Sequence, residues 1–108
     1  MNLDLNFEGF EQYLIATEII PEKRAQYVFM FDNGYGASVI KAHPGSYGAI
    51  NDLWELAVVR DSRYSHIIND RLWFVTYDTP ITDDVIGYLT NEEVLKIMKQ
   101  IQELPAKE

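Results

Sequence analysis

Two β-prone runs joined by Asn33-Gly34 dictate an antiparallel hairpin. Residues 27–31 (YVFMF) and 35–42 (YGASVIKA) are rich in aromatic and β-branched side chains, and Asn-Gly is the dipeptide that a two-residue type I′ turn requires. Counting back from such a turn sets Phe31 opposite Gly36, Met30 opposite Ala37, Phe29 opposite Ser38, Val28 opposite Val39 and Tyr27 opposite Ile40. One face then carries Tyr27, Phe29 and Phe31 over the small Gly36 and Ser38. The other carries Val28, Met30, Ala37 and Val39. Both faces are apolar, so the expected hairpin is covered on two sides or leaves an aromatic patch for a partner.

The remaining pattern builds a domain around that hairpin. Phe7, Phe10, Leu14 and Thr17 recur at helical spacing behind Asn6, a residue suited to an N-cap, which predicts a short helix over 7–17. The β-branched run 15–20 offers the alternative of an extended lead-in to the sheet. Residues 43–52 (HPGSYGAIND) read as a loop from their Pro and Gly content. Residues 53–59 alternate, with Trp54, Leu56 and Val58 on one side, as a half-buried strand does. Residues 60–70 are polar and irregular and read as a long connection, and 71–77 as a fourth strand.

A C-terminal helix is set by its start signal. Thr90 and Glu93 form a capping box, Leu89 and Val94 a hydrophobic staple, and Val94, Ile97, Met98, Ile101 and Leu104 one apolar face ending at Pro105. The expected fold is therefore α+β: one domain over 1–108, an antiparallel meander of about four strands, a C-terminal helix packed on one face and a short N-terminal helix.

Composition narrows the chemistry. The chain has no cysteine, which excludes disulfides and cysteine-bound zinc and fits a cytoplasmic setting. The N-terminal residues form no signal peptide, and nothing approaches the roughly 18 apolar residues of a membrane span. Net charge is −8, concentrated in residues 1–25 (five acids, two bases) and 78–108 (seven acids, three bases). Such a balance opposes direct binding to nucleic-acid phosphates and favours a basic protein partner or simple solubility.

Candidate reaction centres are weak. Asp78, Asp83 and Asp84 with Thr79 and Thr82 offer oxygen ligands, but their spacing is not that of an EF-hand. Turn chemistry at Asp78-Thr79-Pro80, and a short helical turn from Asp83 through Gly87, explain them as well. His43 and His66 are the only histidines, and no serine lies in a G-x-S-x-G context. Gly34, Gly36, Gly45 and Gly48 match no phosphate-binding motif and read as turn glycines. We therefore expect no enzyme, no metal and no cofactor. Tyr35, Tyr47, Tyr64, Tyr77 and Tyr88, close to small and acidic residues, suit a protein-contact surface as well as the rim of a small core. The expected partner-binding residues are Asp78, Asp83, Asp84, Tyr35 and Tyr47.

Residues 33–48 (NGYGASVIKAHPGSYG), 53–58 (LWELAV) and 77–94 (YDTPITDDVIGYLTNEEV) resemble a group of small uncharacterised proteins encoded by phages and prophages of Gram-positive bacteria. The likeness spans about the C-terminal two-thirds and carries no catalytic residue. It implies an accessory role in the cytoplasm of a bacterial host. The expected function is that of an acidic protein-binding module, an inhibitor occupying the basic surface of a host nucleic-acid-handling or defence protein. The alternative is an assembly protein that forms a homodimer or larger oligomer through its aromatic hairpin face.

Overall fold

A computed structural model describes residues 2–46, 48–61, 73–77, 79–81 and 85–106. A 3₁₀ turn, Glu11–Tyr13, leads into strands β1 (Leu14–Ile20), β2 (Arg24–Met30), β3 (Tyr35–Ala42), β4 (Trp54–Asp61), β5 (Trp73–Val75) and β6 (Ile86–Leu89), followed by helix α1 (Asn91–Gln102). The sheet is antiparallel, in the order β1-β2-β3-β4-β5. β5 pairs with residues 59–61 of β4 and β6 with residues 54 and 56, so two short strands share the fifth position. The architecture is α+β, with five strand positions where about four were expected.

The short N-terminal helix expected over 7–17 is confined to the 3₁₀ turn Glu11–Tyr13, because the spacing of Phe7 and Phe10 serves a different packing. Phe7 lies against Tyr27 and Phe29 with ring centroids 5.8 and 5.5 Å apart, and Phe10 and Tyr13 lie against Phe31 at 5.9 and 5.2 Å. These aromatic contacts hold residues 7–13 across the sheet, and the β-branched run that follows becomes β1. Of the short turn expected from Asp83 through Gly87, Asp83 and Asp84 lie outside the described residues, and Ile86 and Gly87 belong to β6.

The hairpin register differs by one residue from the expected one. Met30 faces Gly36, Phe29 faces Ala37, Val28 faces Ser38 and Tyr27 faces Val39. The loop has three residues, closed by Phe31 N–H to Tyr35 O at 2.7 Å and Gly34 N–H to Phe31 O at 3.2 Å, with Gly34 in the left-handed region at φ 85°. Glycine reaches that region without a Cβ penalty, so a single positive-φ residue suffices. The slip exchanges the faces of β3. Tyr27, Phe29 and Phe31 consequently share their face with Tyr35, Ala37 and Val39, and with Trp54, Leu56 and Val58 of β4.

That shared face is the core. Helix α1 begins as expected, with Thr90 Oγ1 accepting from Glu93 N and Glu93 Oε1 from Thr90 N, at 3.2 and 3.0 Å. It lays Val94, Met98 and Ile101, all fully buried, against β3 and β4. Burying each of them contributes about 2 kcal/mol before the cost of ordering the chain. Tyr27, Phe29 and Phe31 are 5%, 0% and 3% exposed within the single chain. Their burial removes the aromatic hairpin face as an oligomer surface.

Candidate functional site

The surface is built by withdrawing positive charge from it. Lys41 shares the core-facing parity of Tyr35, Ala37 and Val39, and it is 2% exposed. Its ammonium lies 4.3 Å from the ring centre of Trp54 and donates to Asn2 O at 2.7 Å and Asp52 Oδ1 at 2.9 Å. Asn2 N–H donates to the same Asp52 oxygen at 2.7 Å. A buried ammonium with these partners is satisfied, and it pins residue 2 to the sheet. Arg24 pairs with Glu18 at 3.0 Å, and the Arg60 guanidinium stacks on Tyr35 at 5.3 Å.

The outcome is a strongly acidic exterior. Among the described residues, ten acids are exposed against three bases, Lys23, Lys96 and Lys99. The two acid-rich ends of the sequence also meet. Asn6 N–H donates to Asn91 Oδ1 at 2.8 Å and Asn91 Nδ2 donates to Asn6 O at 2.7 Å, a reciprocal pair 85 positions apart. Through it, the segment bearing Asp4 and Glu8 is fastened beside the helix start bearing Glu92 and Glu93. Asn6 thus serves as an anchor rather than the expected helix cap. Glu93 is held below its ordinary carboxylate value by the Thr90 N–H and hydroxyl.

Asp52 connects this electrostatics to stability. Donation from Lys41, and next from Asn2 N–H, holds its carboxyl below the ordinary value of 3.8. Since the folded value lies below the unfolded one, the interaction contributes fully above pH 3.8 and is lost as pH falls through the folded value. Its carboxylate is 52% exposed, so solvent screening keeps the contribution small. Asp52→Asn should therefore be modestly less stable than wild type at neutral pH, with the gap closing below about pH 4. Urea titrations across that range check this. A gap that is constant with pH would assign the loss to packing rather than charge.

Of the expected contact residues, Tyr35 is described, and it is 7% exposed in the core cluster, with Arg60 over its ring. Its burial leaves little of the ring for a partner. Asp78, Asp83, Asp84 and Tyr47 lie outside the described residues, as do Tyr64 and His66. Tyr77 and Tyr88 are 54% and 59% exposed and remain on the candidate surface. Tyr88 does so from the left-handed region, at φ 59°. Among the described residues, no group of three or more His, Asp or Glu residues is placed to hold a metal ion.

The opposite face of the sheet carries a feature that no sequence motif announces. Gln26, Ser38, Ile40, Ala57, Trp73 and Val75 line a mostly apolar hollow of about 210 Å³, which Glu55 and Val85 complete. Gln26 Nε2 donates to Ser38 Oγ inside it at 3.0 Å. Its signal in the sequence is the placing of small residues, Ser38 and Ala57, opposite each other on neighbouring strands.

Compared with models of known protein families, with curated proteins and with solved structures, the chain matches none. The fold and surface define it as an α+β protein with one antiparallel sheet, one packed helix and an acidic exterior. Among the described residues no helix is long and apolar enough to cross a membrane.

Proposed function

We propose that the chain is a small acidic protein-binding module that occupies the basic surface of a nucleic-acid-handling protein. The observation carrying this reading is the ten-to-three excess of exposed acids over exposed bases, produced in part by burying Lys41. Carboxylates spread over one exterior imitate the spaced negative charge of nucleic-acid phosphates, and such complementarity sets both partner choice and association rate. Asp78, Asp83 and Asp84 belong to the acidic excess that gives the whole chain its net charge of −8. The sequence resemblance to phage and prophage proteins supports a bacterial host as the setting and a nuclease or defence protein as the partner. No reaction is assigned to the chain.

A pull-down from bacterial lysate tests the proposal. At low salt the wild-type chain is expected to capture a basic nucleic-acid enzyme and to release it as salt rises. Neutralising Asp78, Asp83 and Asp84 together should weaken capture and flatten its salt dependence. Recovery of no basic nucleic-acid enzyme at low salt would sink the reading.

A further inference from the structure

β1 forms one edge of the sheet: among the described residues it pairs with β2 and with no other strand. Among the described residues, no strand takes up its ladder groups on the far side, where a further strand could pair. The side chains there are unlike the rest of the exterior. Residues 15–20 are all exposed, and Ile15, Ile19 and Ile20, at 46%, 45% and 44%, join Tyr77 and Tyr88 as the exposed large hydrophobic residues. Edges are commonly guarded by lysine, proline or unpaired charge within the strand. β1 holds one charge, Glu18, and Arg24 neutralises it at 3.0 Å.

We propose that β1 pairs with β1 of a second copy of this chain, antiparallel about a two-fold axis at Thr17, so that two sheets become one. Residues opposite each other across a ladder must point to the same face, so the axis has to pass through a residue position. Placed at Glu18, it would set two carboxylates opposite each other, which is destabilising. Placed at Thr17, it sets Thr17 against itself and Ala16 against the second copy's Glu18, and brings Ile19 beside the second copy's irregular Ile15 at both ends of the contact. Thr17 and Ile19 lie opposite Tyr27 and Ala25 of β2, on the core face, so Ile19 extends the apolar layer from one copy towards the next. The register shift between Leu14 and Ala16 puts the irregularity at Ile15, bends the strand at its start and leaves residues 16–20 as its regular part.

Charge selects the occupant. A basic partner meets no net charge on this edge, whereas two copies with net charge −8 repel least where Glu18 is already paired. Salt should therefore strengthen this contact while weakening any contact to a basic partner, which separates it from the function proposed above.

Light scattering across concentration and salt, combined with cysteine substitution in this cysteine-free chain, tests the arrangement. A dimer is expected whose fraction grows with both variables. Thr17→Cys should form a disulfide-linked dimer on mild oxidation. Glu18→Cys should do so poorly, because its β-carbons are diagonal neighbours about 7 Å apart. Ile19→Lys, at an exposed position, should be monomeric with an unchanged circular dichroism spectrum. A monomer at every concentration and salt overturns the proposal, even if the edge accepts a strand from some other protein. A dimer indifferent to Ile19→Lys, or equal crosslinking of both cysteine variants, overturns it too.

Discussion

Gly36→Ala is expected to lose nearly as much stability as Gly36→Val, and both should be largely unfolded under mild denaturing conditions. A β-carbon at position 36 would overlap the backbone oxygen of Phe29 and lie 2.9 Å from its carbonyl carbon and 3.0 Å from Met30 Cα. These are backbone atoms of the adjacent strand, so no rotamer change relieves the clash, and β2 and β3 must separate. A strained or overpacked core position costs about 4 kcal/mol or more, against a total of about 5–15 kcal/mol for a domain. The comparison of the two variants carries the argument. Were Gly36 needed only as a small residue beneath the aromatic rings of its neighbour strand, alanine would be mild and valine severe. The backbone approach makes the first carbon decisive. Urea denaturation of both variants checks it, and a Gly36→Ala protein near wild-type stability would return the explanation to side-chain size.

Asn33→Asp should be the second most damaging single change, although it is nearly isosteric. Asn33 Nδ2 donates to Ile101 O and Leu104 O, both at 2.9 Å, and to Gln102 O at 3.2 Å, while Oδ1 accepts from Tyr35 N–H at 3.0 Å. One amide thus closes the hairpin loop and caps the end of α1. A carboxylate cannot donate, and it would place negative charge against carbonyl oxygens at the negative end of the helix dipole. The cost is about 2–4 kcal/mol, with Asn33→Ala at about 1–3 kcal/mol. The aspartate would have a raised folded pKa, because only its protonated form can donate to those carbonyls. Its deficit should therefore be full at neutral pH, shrink as the pH falls through that raised folded value and level off at about pH 4, where the unfolded carboxyl titrates, while that of Asn33→Ala should stay constant. Thermal unfolding at several pH values separates these outcomes.

Asn33 also explains where the sequence misled. Asn-Gly favours a two-residue turn when only the hairpin is considered, and nothing within the hairpin contradicts it. The three-residue loop wins because it aims the Asn33 amide at carbonyls 68 to 71 positions away. Local chemistry was legible where it was self-contained. The capping box of α1 needs only Thr90 and Glu93, and the alternation of Trp54, Leu56 and Val58 needs only its own strand. It failed where a distant partner decided the outcome, as with residues 7–13, whose aromatic rings are claimed by β2 rather than by a helix.

The candidate site was legible as charge and not as place. Composition revealed the acidic excess and its concentration in two regions. The reciprocal Asn6 and Asn91 bonds that unite those regions have no local signature, since asparagine suits turns, caps and long-range pairs alike. Lys41 did leave a trace: it falls on the same parity as Tyr35, Ala37 and Val39, an inward lysine in a strand opposite Trp54. That placement implies a buried ammonium and hence a surface more acidic than the overall charge suggests.

The core face is closed by residues 3–10 and by α1, which flank all the strands in the order of synthesis. A ribosome releases the aromatic hairpin before residues 91–102, so Val39, Leu56 and Val58 lack the cover of α1 until that helix emerges. Contacts of such long sequence separation form late and slow folding. During that interval the nascent chain presents sticky strands to chaperones and to other nascent chains, and translation that stops before α1 yields an aggregation-prone fragment.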